Sequence, residues 1–217
     1  MKKIYVISGL GVDKRVFSNI DFNGLDVEYL DWIPPHSQES IEQYAARMTQ
    51  MIHTDNPIII GLSFGGMVAV EISKLIVYDK LILLASAKTR HEIPALYRLL
   101  GRLKLHKIFP PSLFKSYNPV LGWLFGIHTA EDKQLLKEIL KDTDPLFMTW
   151  AINEILNWKN LQEPTNYIHI HGTKDNILPA KNVKNIATRI EDAGHFMMVN
   201  QSKTVSEELF KVINRNY

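Results

Sequence analysis

One junction constrains this chain more than any other: Pro57-Ile58-Ile59-Ile60-Gly61-Leu62-Ser63-Phe64-Gly65-Gly66. Its β-branched apolar run reads as a strand buried on both faces. The segment that follows, from Gly66 to Leu75, is apolar on nearly all sides and reads as a buried helix. A strand covered on both sides belongs to a parallel sheet, since crossover helices are what cover both faces. The Gly-x-Ser-x-Gly pentapeptide between them reads as a sharp elbow that holds Ser63 in a strained conformation and lifts its hydroxyl clear of the backbone. The residues two before and two after the serine must be small where strand and helix meet, and Gly61 and Gly65 meet that need. A glycine-rich phosphate cradle is the competing reading, but the Gly-Lys-Ser/Thr ending of a P-loop and the dinucleotide spacing are both missing.

The rest of the chain repeats the rhythm. Ile4 to Ile7, Val27 to Asp31, Lys80 to Ala85, Asn166 to His171 and Thr188 to Ile190 read as further strands. Ser37 or Ser40 caps a helix with Ile41, Tyr44, Ala45, Met48 and Met51-Ile52 at helical spacing, and Val199 to Asn214 closes the chain as another. From 88 to 160 the strands stop. The segment turns helical and aromatic, with Tyr97, Phe109, Phe114, Tyr117, Trp123, Phe125, Phe147, Trp150 and Trp158. The pattern predicts an α/β fold: a mostly parallel central sheet with helices on both faces, built from 1–87 and 161–217, with an inserted helical cap over 88–160. Composition narrows the function classes. A net charge of +2 without runs of like charge argues against a nucleic-acid partner. The chain has no cysteine, which excludes disulfides and a thiolate nucleophile and fits a reducing cytoplasm. The apolar start at Ile4 is too short for a signal peptide and reads as the first strand, and no stretch approaches the roughly 20 apolar residues of a membrane span.

A serine hydroxyl becomes a nucleophile only beside a base. Of eight histidines, His195 in Asp192-Ala193-Gly194-His195-Phe196 follows a strand and precedes the last helix, so it lies in a loop at the same sheet edge as the elbow. His169 and His171 fall within a strand and read as packing residues. The base needs a carboxylate to set its tautomer and stabilise the imidazolium. Asp175 fits, leaving a strand through Gly172 and turning before Pro179, whereas Asp192 is too close to His195 in sequence without an unusual turn. The glycines of Ser8-Gly9-Leu10-Gly11 free backbone amides to point at a developing charge, so the Leu10 and Phe64 N–H groups are the candidate oxyanion hole.

These motifs, in the order Ser63, Asp175, His195, resemble the α/β-hydrolase superfamily. The resemblance rests on Gly61-Leu62-Ser63-Phe64-Gly65, on His171-Gly172-x-x-Asp175 to Pro179 and on Gly194-His195-Phe196, with Ser8-Gly9 where the family usually has His-Gly. It implies a helical lid after the fourth strand and a first strand inside the sheet. It also implies a serine hydrolase acting on an ester or thioester of a small, largely apolar acyl group, with no cofactor and no metal. The expected partner is a small-molecule acyl substrate, with no nucleic acid, no membrane and no oligomeric state assigned. Carbon–carbon bond cleavage or a lyase step on the same triad, and a non-catalytic binding protein, are the alternatives from other classes. The lid aromatics read either as an acyl pocket or as packing. Arg98, Arg102, Lys104 and Lys107 read either as a solvated helix face or as an attraction for a coenzyme A thioester.

Overall fold

The computed structural model describes residues 2–104 and 116–214. Six strands form one sheet in the order β2-β1-β3-β4-β5-β6. They are β1 (Ile4–Ile7), β2 (Val27–Leu30), β3 (Ile58–Leu62), β4 (Lys80–Leu84), β5 (Tyr167–Gly172) and β6 (Thr188–Ile190). Every neighbouring pair is parallel, with Ile4 opposite both Val27 and Ile58, and Ile60 opposite Ile82. Because all strands run the same way, the loops after β1, β3, β5 and β6 meet at one edge. The chain steps from β1 out to β2 and returns to β3 on the other side. The crevice that such a reversal leaves at the carboxyl ends is where ligands bind in open α/β sheets.

The period of two divides the strand side chains between two cores. Ile4, Val6, Ile58, Ile60, Ile82 and Leu84 pack on one face, with Val205, Leu209 and Val212 of the last helix. Tyr5, Ile7, Ile59, Leu81 and Leu83 pack on the other, under α1 (Ile41–Met48) and α2 (Phe64–Ile72). Burying each of the large aliphatic side chains contributes about 1.5–3 kcal/mol. Ser40 caps α1, accepting from the Gln43 N–H while the Gln43 side chain accepts from the Ser40 N–H, a capping box that stops the helix running back into the loop.

Between β4 and β5 lie α3 (Ala95–Arg102), α4 (Pro119–Phe125), α5 (Ala130–Asp142) and α6 (Pro145–Asn157). Asn118, Thr129 and Asp144 cap the last three through their side chains, and Pro119 and Pro145 occupy the first turns of α4 and α6. α7 (Met197–Asn200) and α8 (Ser202–Asn214) end the fold where the sequence predicts one helix. The break falls at Gln201, which stands at φ −130° between them. The elbow helix starts earlier than its apolar pattern, at Phe64, because Ser63 occupies its cap position. Phe109, Phe114 and Lys107 lie outside the described residues. Among the described residues, no helix is long and apolar enough to cross a membrane.

Candidate active site

Ser63 stands between β3 and α2 at φ +52°, ψ −120°, a conformation L-residues rarely adopt. The neighbouring small residues make that turn possible. A Cβ on Gly61 would lie 2.5 Å from the Gly66 Cα, and one on Gly65 would collide with the Ser8 carbonyl oxygen. Gly66 has the same constraint, since a Cβ there would strike the Ser86 side chain. Fully buried Ser86 donates its hydroxyl to the Ser63 carbonyl at 2.7 Å and ties the elbow to the end of β4. The Ser63 hydroxyl makes no capping bond to α2, which leaves it free to face the loop after β6.

There it meets His195, whose Nε2 lies 2.8 Å from the Ser63 Oγ. The other ring nitrogen, Nδ1, lies 2.7 Å from Oδ2 of Asp175. Oδ1 of Asp175 accepts from the Ile177 and Leu178 N–H groups at 2.9 and 2.8 Å. Burial pushes the Asp175 carboxyl up, but His195, His171 and the Leu178 amide together outweigh it and hold the group below the ordinary carboxylate range. An ionised Asp175 accepts the Nδ1–H of His195. The Nε2 lone pair then faces the serine hydroxyl, as a base requires. The rival carboxylate, Asp192, points to solvent in an ion pair with Lys174 at 2.8 Å.

His171 is the residue whose place the sequence does not reveal. It is buried in β5, as a packing reading expects, yet it also touches the site. Its Nε2 donates to the Leu178 carbonyl at 2.7 Å and lies 3.4 Å from Oδ2 of Asp175. That assigns the proton to Nε2, so Nδ1 accepts from His169 Nε2 at 3.2 Å. Burial holds both rings below the usual histidine range, His169 far below it. The i, i+2 spacing puts the two rings on one face of β5, and the His-x-His pattern was the available signal.

The loop after β1 closes the other side. A Cβ on Gly9 would lie 3.2 Å from the Ser63 Cβ, so only a bare backbone fits so close. The Leu10 N–H makes no backbone hydrogen bond among the described residues. The Phe64 N–H opens α2 and has no intrahelical acceptor. Above Ser63 and His195 lies a cavity of about 330 Å³ walled by Leu10, Leu121, Phe125, Met148, Ile155 and Ile177, among others. Its walls are mainly aliphatic. The aromatics divide: Phe125 stands edge-on to the His195 ring at 5.7 Å, whereas Phe147 and Trp150 stack with Trp32, Tyr44 and Phe64 and pack α6 onto the core. Arg98, Arg102 and Lys104 line neither this cavity nor the smaller one beside it. A groove of about 920 Å³ between residues 35–42 and α6 is larger but contains none of Ser63, Asp175 and His195. Among the described residues, no group of three or more His, Asp or Glu side chains is arranged to hold a metal ion.

A family model described as the alpha/beta hydrolase family matches residues 9–208, and the chain belongs to that family. Among solved structures, it is similar to an esterase (EaEST) from Exiguobacterium antarcticum, with a TM-score of 0.76 at 16% identity, covering 99% of this chain and 92% of that one. It is similar as well to a lipase-esterase related protein from Clostridium acetobutylicum ATCC 824 (TM-score 0.71, 18% identity, 97% and 93% covered). A bromoperoxidase from Bacillus anthracis resembles it almost as well (TM-score 0.69, 14% identity, 99% and 92% covered). At these identities the likeness shows the fold, and one scaffold carries several activities. No curated protein matches the chain by sequence.

Proposed function

We propose that this α/β hydrolase is a serine hydrolase. It cleaves a carboxylic ester or thioester of a small, largely apolar acyl group through an acyl-serine intermediate. The observation that carries the reading is the hydrogen-bonded series from Ser63 Oγ through His195 to Asp175 at the floor of an aliphatic cavity. The Ser63 Oγ attacks the substrate carbonyl carbon while His195 Nε2 takes the hydroxyl proton, and Asp175 stabilises the imidazolium. The negative oxygen of the tetrahedral intermediate accepts from the Leu10 and Phe64 N–H groups. Collapse breaks the bond to the alcohol or thiol, which leaves with the proton from Nε2. Water, activated by the same nitrogen, then attacks the acyl-serine and releases the acid, restoring Ser63. The cavity is large enough for a medium acyl or aryl group, and among the described residues its lining is mainly aliphatic, which supports an apolar acyl group. In this reading residues 88–160 form a lid, and α4 to α6 supply the acyl-binding wall.

Intact-mass labelling with a fluorophosphonate tests the proposal. The wild type is expected to gain one adduct and Ser63→Ala none. A folded wild type that takes up no label, and turns over none of a series of neutral esters, would return the chain to the binding-protein reading.

A further inference from the structure

The carboxyl end of α4 is tied to both loops that hold the triad. Trp123 O accepts from the Asn176 side chain at 3.0 Å, one residue beyond Asp175. Phe125 O accepts from the Phe196 N–H at 2.9 Å, one residue beyond His195. Gly126 O accepts from the Asn200 side chain at 3.0 Å, in α7. Gly126 ends the helix in the left-handed region at φ +72°, which aims these last carbonyls at the core. It also approaches Gly194 so closely that a Cβ on either would lie 3.1 Å from the Cα of the other. On its inner side the same helix presents Leu121 and Phe125 to the cavity, and the Phe125 ring meets the His195 ring.

We infer that α4 is fixed to the core as a third support of the triad, and that Asn176 and Asn200 are the positioning residues that hold it there. The inference rests on the hydrolase reading for its kinetic consequence but not for its structural one. Movement of α4 away from the core would break three hydrogen bonds and withdraw the ring that backs His195. The part of the lid that admits substrate therefore lies outside this helix. Asn200 is the more telling of the two. Among the described residues its Nδ2 makes one bond, but its buried Oδ1 has no partner. An orphaned buried oxygen costs about as much as one such bond returns, so stability alone does not favour asparagine over an apolar residue of its size. Position does, because the bond fixes the carbonyl that ends the cavity wall.

Two measurements decide the matter. Asn200→Leu keeps the branching and the number of heavy atoms, removes both the bond and the orphaned oxygen, and leaves the buried Gly126 carbonyl without this donor. Its melting temperature is expected to stay within about 5 °C of the wild type, one orphaned oxygen being exchanged for another, while kcat on a short p-nitrophenyl ester falls about tenfold with KM within about twofold, as loss of alignment dictates. Asn176→Ala is expected to show the same fall in kcat with KM within about twofold. A merely structural role would give the reverse, a lowered melting temperature with unchanged kcat, and that result overturns the inference. The second measurement needs no variant: amide exchange in the wild type. The Phe196 amide is expected to exchange as slowly as amides in β3 and β5, whereas exchange near the rate of an open loop overturns the fixed helix. A wild type that fails to label at Ser63 sinks the hydrolase reading, and the exchange result still decides the place of α4.

Discussion

Replacing Asp175 by asparagine changes two hydrogen-bonding atoms and almost no volume, and the structure dictates how the amide must sit. The atom at the Oδ1 position faces two N–H donors, those of Ile177 and Leu178. It must remain an oxygen, which forces the NH2 group to the Oδ2 position, opposite His195 Nδ1. His195 then accepts there and carries its proton on Nε2, where it faces the Ser63 hydroxyl as a donor and no longer as a base. Restoring the useful tautomer requires either two N–H groups meeting across the 2.7 Å contact or a flipped amide with its NH2 against two backbone donors. Either choice strands at least two buried donors at about 1–3 kcal/mol each, and the charge-assisted bond to the histidine is lost as well. A total of about 5 kcal/mol corresponds to roughly a 10³–10⁴-fold loss in kcat/KM. The assay is steady-state hydrolysis of a neutral p-nitrophenyl ester, with near-ultraviolet circular dichroism to show that the variant is folded. Activity within tenfold of the wild type would refute the role assigned to Asp175 and the tautomer argument with it.

Three further outcomes follow from the same geometry. His169 and His171 are held below their ordinary value of 6.5 by burial, so the folded state binds fewer protons than the unfolded one below that pH. Their contribution is complete above about pH 6.5 and declines on acidification, by about 1.4 kcal/mol per pH unit for each ring that stays neutral when folded; equal urea midpoints at pH 7.5 and 5.5 would contradict it. Gly65→Ala forces a Cβ into the Ser8 carbonyl oxygen and to 2.6 Å from that of Ile7. It should cost at least about 3 kcal/mol in urea unfolding, above the usual range for overpacking, because backbone must move. Ile155→Trp fills part of the cavity above Ser63 and should lower kcat/KM for an octanoyl ester by about tenfold or more while leaving the acetyl ester within about twofold, a selectivity that parallel assays on the two esters would measure.

The strands were legible because a fully buried parallel strand has a simple signature. Ile58-Ile59-Ile60 has nowhere to lie except between two layers of helix, and β1, β4 and β5 repeat the pattern. Ser63, Asp175 and His195 were legible for a chemical reason: each lies just beyond a strand, in a segment with the glycines that its turn needs. The role of the aromatics was not legible, because aromatic content does not say which way a ring faces. Phe147 and Trp150 sit on α6 with Met148 and Ile152, yet the rings pack toward the core while those two aliphatic neighbours line the cavity.

By itself, the sequence determined the layered parallel sheet, the small residues at the elbow and the three groups that meet there. These follow from local patterns, and each is constrained by its immediate neighbours in the chain. Tertiary structure alone decided that Ser86 ties down the elbow and that the carbonyls at the end of α4 accept from the Asn176 and Asn200 side chains. The bond of Ser86 spans 23 residues, that of Asn176 spans 53 and that of Asn200 spans 74. Contacts of that kind depend on side-chain direction and on where the sheet sets its loops, and no local pattern in the chain encodes them.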